Sequence, residues 1–186
     1  MRKVVVYMLT SLDGVAEEPG DWMTDSGPAI FDNLARVIGT QDTILLGRGT
    51  YDYWVDFWPG NGPEPFHSFI NGTEKHVFTS RPFEPRWANT VVVAGTVEDH
   101  VRALREGDGG DIGLHGSIRL ARSLAAAGLV DEYRLVVSGT VAGRGERLFT
   151  ADHPKQQLGL LDATSTSGGS LLLGYRVTDT PAGPPS

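Results

Sequence analysis

Ile44-Leu45-Leu46-Gly47-Arg48-Gly49-Thr50-Tyr51-Asp52-Tyr53-Trp54 is the stretch on which the reading of this chain turns. An apolar run stops at Gly-Arg-Gly-Thr, and an aromatic segment follows. That pattern is a buried strand, a tight turn and the first turn of a helix. Glycines at the turn let the backbone come close to a ligand. The free N–H groups of a helix start attract an anion, and Arg48 adds a fixed positive fork. Thr50 suits an N-cap or a hydroxyl donor. An ordinary strand-to-helix turn with Arg48 in solvent would carry the same letters, so the weight must come from elsewhere. His115-Gly116-Ser117, running into Ile118, is a second glycine turn between a strand and a helix. Ser80-Arg81 stands at the end of a third strand. Three such turns suit an extended, phosphate-bearing ligand.

Outward from that stretch, strands and helices alternate. Lys3–Leu9 is rich in β-branched residues and is expected to be a central strand. Thr10-Ser11-Leu12-Asp13-Gly14 turns the chain into a polar loop that carries Trp22. Ile30, Phe31, Leu34, Val37 and Ile38 have helical spacing over residues 29–38, and Gly39 is a good stop. Strands are expected over 42–46, 75–79, 90–94, 111–114 and 132–137. Helices are expected from Thr50, over 97–106 and over 118–127. Residues 57–73, rich in Pro, Gly and aromatics, read as an irregular excursion. Residues 157–165 and 170–177 read as a closing hairpin around Ser167-Gly168-Gly169. The pattern is that of one α/β domain over residues 1–178, with a mixed, mostly parallel sheet, helices on both faces and a C-terminal antiparallel hairpin. The Pro-rich residues 179–186 read as a disordered tail.

The chain of 186 residues has a formal net charge of −7 and no basic stripe, which argues against nucleic acid as a partner. It has no cysteine, so disulfides, cysteine–zinc sites and a thiol nucleophile are excluded. His67, His76, His100, His115 and His153 show no metal-ligand spacing. No signal peptide or membrane-spanning run is visible, and a soluble cytoplasmic protein is expected.

Four pieces then occur in a telling order: Ser11-Leu12-Asp13-Gly14, Leu46-Gly47-Arg48-Gly49-Thr50-Tyr51, His115-Gly116-Ser117, and Gly128-Leu129-Val130-Asp131-Glu132 leading to Gly143-Arg144-Gly145 and Leu148-Phe149. With them the chain resembles the three-layer dihydrofolate reductase-like fold. More closely it resembles stand-alone relatives of the reductase domain of bacterial riboflavin biosynthesis, the RibD C-terminal domain family. The resemblance runs over roughly residues 3 to 178. It implies an NADPH-dependent reductase acting on a small planar molecule, with the cofactor across the carboxyl ends of the strands. By that resemblance Gly47, Arg48, Gly49 and Thr50 hold the adenosine-side phosphates, and Ser80 and Arg81 lie beside the 2′-phosphate. His115, Gly116, Ser117 and Ile118 meet the pyrophosphate, while Leu9 and Thr10 reach the nicotinamide end. Family members commonly show Gly-Gly where this chain has His115-Gly116, so that side chain would touch or crowd the pyrophosphate. No deaminase domain precedes the fold, so a role in riboflavin synthesis itself is not expected. Related stand-alone domains often pair, and a homodimer is expected.

For substrate contact the candidates are Trp22, Tyr51 and Trp54, although core or dimer packing uses the same aromatic letters. For proton chemistry they are Asp13 and Asp32. Asp13 precedes a glycine and has a turn role to explain it. Asp32 lies off the apolar face of its helix, pointing into a cleft or into water, and the folate enzymes place a carboxylate on this helix. A non-catalytic nucleotide-binding protein, or a structural domain using the fold alone, are the competing classes. The glycine turns and arginines disfavour the last.

Overall fold

The computed structural model describes residues 1–178. Strands β1 (Val4–Thr10), β2 (Gln41–Gly47), β3 (Glu74–Phe78), β4 (Thr90–Val93), β5 (Asp111–His115), β6 (Glu132–Val137), β7 (Gln157–Ser165) and β8 (Leu171–Thr178) form one sheet of order β4-β3-β2-β5-β1-β6-β8-β7. The first six strands in that order pair in parallel; β8 and β7 close the sheet antiparallel. The expected mixed sheet with a terminal hairpin is what the chain forms. The tail expected over residues 179–186 lies outside the described residues.

The strand period of two divides the core. Val4, Val6 and Met8 of β1 join Leu45, Ile112 and Leu114 beneath α4 (Val97–Glu106) and α5 (Ile118–Ala126). Val5 and Tyr7 face α1 (Pro28–Ile38) on the opposite side, with Ile30 and Val37. Ile44 and Leu46 lie on that same side, under α2 (Arg48–Trp54) and α3 (Phe66–Gly72).

α3 corrects the expected irregular excursion over residues 57–73. Phe66 and Ile70, one helical turn apart, are buried against Tyr51 and Trp87, and this tertiary packing outweighs the surrounding Pro and Gly. The fully buried Lys75 Nζ donates to the Ile70 and Thr73 carbonyls at the end of α3, each at 2.8 Å. Burial pulls its pKa down to about 8. Asp131 accepts the Val4 N–H and pairs with Arg105 at 2.8 Å.

The chain leaves β1, lays down β2, β3 and β4 outward, and returns to insert β5 between β2 and β1. The carboxyl ends of β1, β2 and β5 are thereby neighbours. Leu9, Gly47 and Gly116 meet at one crevice, as expected of open α/β sheets.

Candidate active site

The crevice is a cleft of about 930 Å³, of the size that small-molecule and cofactor sites occupy. Its two ends are built differently. One is made of turns. Gly47 and Ser117 precede α2 and α5, and neither helix has a side-chain cap. The Ser117 hydroxyl instead ties the two turns together, accepting the Gly47 N–H at 3.0 Å and donating to Thr50 Oγ1 at 2.9 Å. The amides of both first turns therefore stay free for an anion. Gly116 has φ +66, and a Cβ there would lie 2.5 Å from Trp54 Cζ2, so only glycine fits.

Arg48 stands at the edge of this end. Its Nε donates to both Asp52 carboxylate oxygens at 2.7 and 2.8 Å, and its guanidinium lies 3.9 Å from the centre of the Phe83 ring. Arg48 also borders a smaller hollow of about 530 Å³ with Asp52, Ser80 and Arg81. The structure thus brings Arg48 and the Ser80-Arg81 strand end together, at the edge of the main cleft.

The other end is apolar. Tyr7 and Leu9 of β1 form its floor, Ile30, Phe31 and Leu34 of α1 one wall, and Trp54, Trp58 and Phe66 the other. Glu17, Glu18 and Asp25, from the loop after β1, stand over it. Glu18 accepts from the Tyr53 hydroxyl at 3.1 Å, linking that loop to α2. Asp25 accepts from the Thr166 hydroxyl at 2.5 Å and from the Gly27 N–H; these bonds, Thr166 first, hold its carboxyl below the usual range. The buried Tyr7 hydroxyl has no hydrogen-bond partner among the described residues, and burial pushes its pKa up to about 12.

His115 lies where the two ends meet. It is 2% exposed, its Nε2 is 2.8 Å from Gln41 Oε1, and its ring packs on Tyr7, Phe66 and Phe69. A Cβ at Gly113 would collide with the Gln41 amide, so that glycine makes room for the pair. Burial drives the His115 pKa down to about 3, and the ring is neutral. The ring is packed into the wall of the cleft.

Of the other expected residues, Leu9, Gly47, Arg48, Gly49, Thr50, Trp54, His115, Gly116, Ser117 and Ile118 line the cleft. Thr10 does not; it is buried 4% exposed behind Leu9. Trp22 also turns away, its indole N–H donating to the Glu17 carbonyl at 2.8 Å. Tyr51 is 2% exposed in the core, its hydroxyl accepting the Arg86 and Trp87 N–H groups. Asp13 is a turn residue: Ser11 Oγ donates to it, as do the Ala142 and Gly143 N–H groups, and these bonds hold its carboxyl far below the usual range. Asp32 sits on the solvent side of α1, exposed and off the cleft. Tyr7, Met23, Asp25 and Arg119 line the cleft without having been expected there.

The model of the RibD C-terminal domain family matches residues 2–172. The Bacillus subtilis (strain 168) protein YyaP is 27% identical over 182 residues, covering 94% of each chain. A riboflavin biosynthesis protein from Shewanella sp. PV-4 superposes with a TM-score of 0.76 at 16% identity, over 95% of this chain and 99% of the other. Enterococcus faecalis dihydrofolate reductase complexed with NADP(H) superposes with a TM-score of 0.62 at 16% identity, over 95% and 97%. These two solved structures share the fold. No helix among the described residues is long and apolar enough to cross a membrane.

Proposed function

The chain belongs to the RibD C-terminal domain family, and on that footing we propose that it is an NADPH-dependent reductase passing a hydride to a small planar heterocycle or carbonyl compound. The observation that carries this is the pairing of two uncapped helix starts, joined through Ser117, with an apolar chamber in the same cleft. The donor set fits a dinucleotide. Free amides at Gly116–Ile118 and Gly49–Thr50 suit the phosphates. Arg48, Ser80 and Arg81 at the smaller hollow suit the 2′-phosphate. Leu9 and the apolar walls suit the nicotinamide and the substrate.

When bound, NADPH supplies the hydride. The protein's part is to hold donor and acceptor in contact and to keep water from their faces. Asp13 and Asp32 are poorly placed to give a proton, the first being held ionised by the Ser11 hydroxyl and the Ala142 and Gly143 amides and the second facing solvent. Water at the cleft mouth is the proton source we assign. The same reading includes a homodimer, for which Leu160, Leu161 and Leu171 of the terminal hairpin are exposed apolar side chains. Light scattering at micromolar concentration tests it.

NADPH fluorescence on mixing, followed by its oxidation against pterins, flavins and quinones, tests the main reading. Saturable binding with turnover of one acceptor is expected. Saturable binding with no turnover against any acceptor would point instead to a non-catalytic nucleotide-binding protein. Absence of binding would defeat both.

A further inference from the structure

We propose that the apolar end of the cleft takes an uncharged aromatic carbonyl compound and rejects substrates that carry a phosphate or carboxylate. Taking the cleft as a reductase site, this narrows what it reduces.

The charges lining the cleft decide the sign. Four carboxylates, Glu17, Glu18, Asp25 and Glu146, face two guanidiniums, Arg48 and Arg119. Both guanidiniums stand at the helix-start end, on α2 and α5, and each already holds a carboxylate: Arg48 pairs with Asp52 and Arg119 with Glu146. Around the apolar end there is no cation among the described lining residues. His115, the lining imidazole, is packed among aromatic rings with its Nε2 on Gln41. Asp25 lines the same chamber, with its carboxylate kept ionised and turned onto Thr166 and Gly27, so it supplies no positive charge there.

An anionic group entering here would be stripped of water with nothing positive to meet it. A flat ring loses little by the same move. Trp54 and Trp58 stand edge to face at 6.0 Å, and Trp58 and Phe66 at 4.9 Å, giving one aromatic wall opposite the aliphatic side chains of α1. Such a slot selects planar, neutral molecules. A phosphate tail can be held only at the other end, where the cofactor competes for the same amides.

The experiment compares two probes of one shape and different charge, menadione and a naphthoquinone sulfonate. Each is titrated into the whole protein with NADP⁺ present, with intrinsic fluorescence as the readout, since Trp54 and Trp58 line the cleft. Menadione is expected to quench saturably and to bind about tenfold or more tightly than the sulfonate, as one unpaired buried charge requires. In Phe31→Arg, which sets a cation on the α1 wall, the sulfonate is expected to become the better ligand. Equal or tighter sulfonate binding by the wild type overturns the proposal. So does an absence of menadione quenching, or a preference unchanged in Phe31→Arg. NADPH binding is titrated separately on the same samples; its failure would sink the reductase reading itself, whereas intact NADPH binding with the wrong probe preference sinks only the substrate class.

Discussion

The two ends of the cleft are built by different means. At one end the binding groups are backbone amides, released by glycine turns and fixed by a single hydroxyl, Ser117, between Gly47 and Thr50. At the other they are apolar side chains, Tyr7, Ile30, Leu34, Trp54 and Phe66, that continue the core into an open chamber. A backbone site depends on chain geometry and tolerates few substitutions at the turn itself. A side-chain chamber can be reshaped one residue at a time. The first is suited to a group of fixed shape and charge, and the second to an apolar molecule selected by its outline.

The largest effect is expected at the seam between the ends. His115 has a folded pKa of about 3 against an ordinary value of 6.5. Between those values the unfolded chain binds more protons than the folded one. The stabilisation is therefore complete above pH 6.5 and is lost as pH falls toward 3, by about 1.4 kcal/mol per unit. Urea denaturation at a series of pH values should show this slope, and His115→Phe should flatten it. At neutral pH the variant should be less stable by about 1–3 kcal/mol, because Gln41 loses its partner. An unchanged slope would mean that the imidazole is reached by water.

Next is Gly116→Ala. Its Cβ would strike Trp54 and would sit at a positive φ, so both ends are strained at once. A loss of about 1–3 kcal/mol in stability is expected, with NADPH binding weakened in step. Gly49→Ala is the contrast, since nothing lies within 4 Å of a Cβ there, and it should leave both nearly unchanged. Comparable damage in the two variants would show that the amide end is less tightly built than its geometry states.

Arg48→Ala is expected to act mainly on the cofactor. A charge-assisted bond is worth about 1.5–3 kcal/mol, so NADPH should bind about ten- to a hundredfold more weakly, while NADH changes less. Parallel fluorescence titrations of both cofactors separate the outcomes. Equal losses for the two would place Arg48 on a phosphate that both share.

The same contrast explains what could be read without a structure. Gly47 and Gly116 announce themselves, because a glycine between a strand and a helix has few other reasons to be there. The alternation of strands and helices was legible almost to the residue, with the exception of α3, whose formation depends on Phe66 and Ile70 meeting Tyr51 and Trp87 from elsewhere in the chain. The apolar end was not legible, since chamber and core use one alphabet. Tyr51 and Trp54 are three residues apart on α2. Only the Arg86 and Trp87 amides, 35 and 36 positions beyond Tyr51, decide that Tyr51 is core, while Trp54 is left for the cleft. Trp22 is drawn inward by the Glu17 carbonyl in the same way. The α1 register settles Asp32: Ile30, Leu34, Val37 and Ile38 occupy the inner face, and Asp32 has no place on it.

The smallest expected effect tests how the amide end chooses between cofactors. Asp52 takes both bonds from Arg48 Nε and is itself half exposed, at 53%. An ion pair so wetted is worth less than about 1 kcal/mol to the fold. Its consequence is local: it puts a negative charge beside the hollow lined by Ser80 and Arg81. Asp52→Asn removes that charge and keeps the shape. The guanidinium stays in place over Phe83, so the arginine does not need its carboxylate to be positioned. At about 4 Å in water-like surroundings one unit charge pair is worth about 1 kcal/mol. NADPH should therefore bind a few-fold more tightly to the variant, NADH should not change, and the gain should shrink as salt is raised. Should NADPH bind more weakly instead, Asp52 would be the residue that aims Arg48, and the two would have to be treated as one device for recognising the 2′-phosphate.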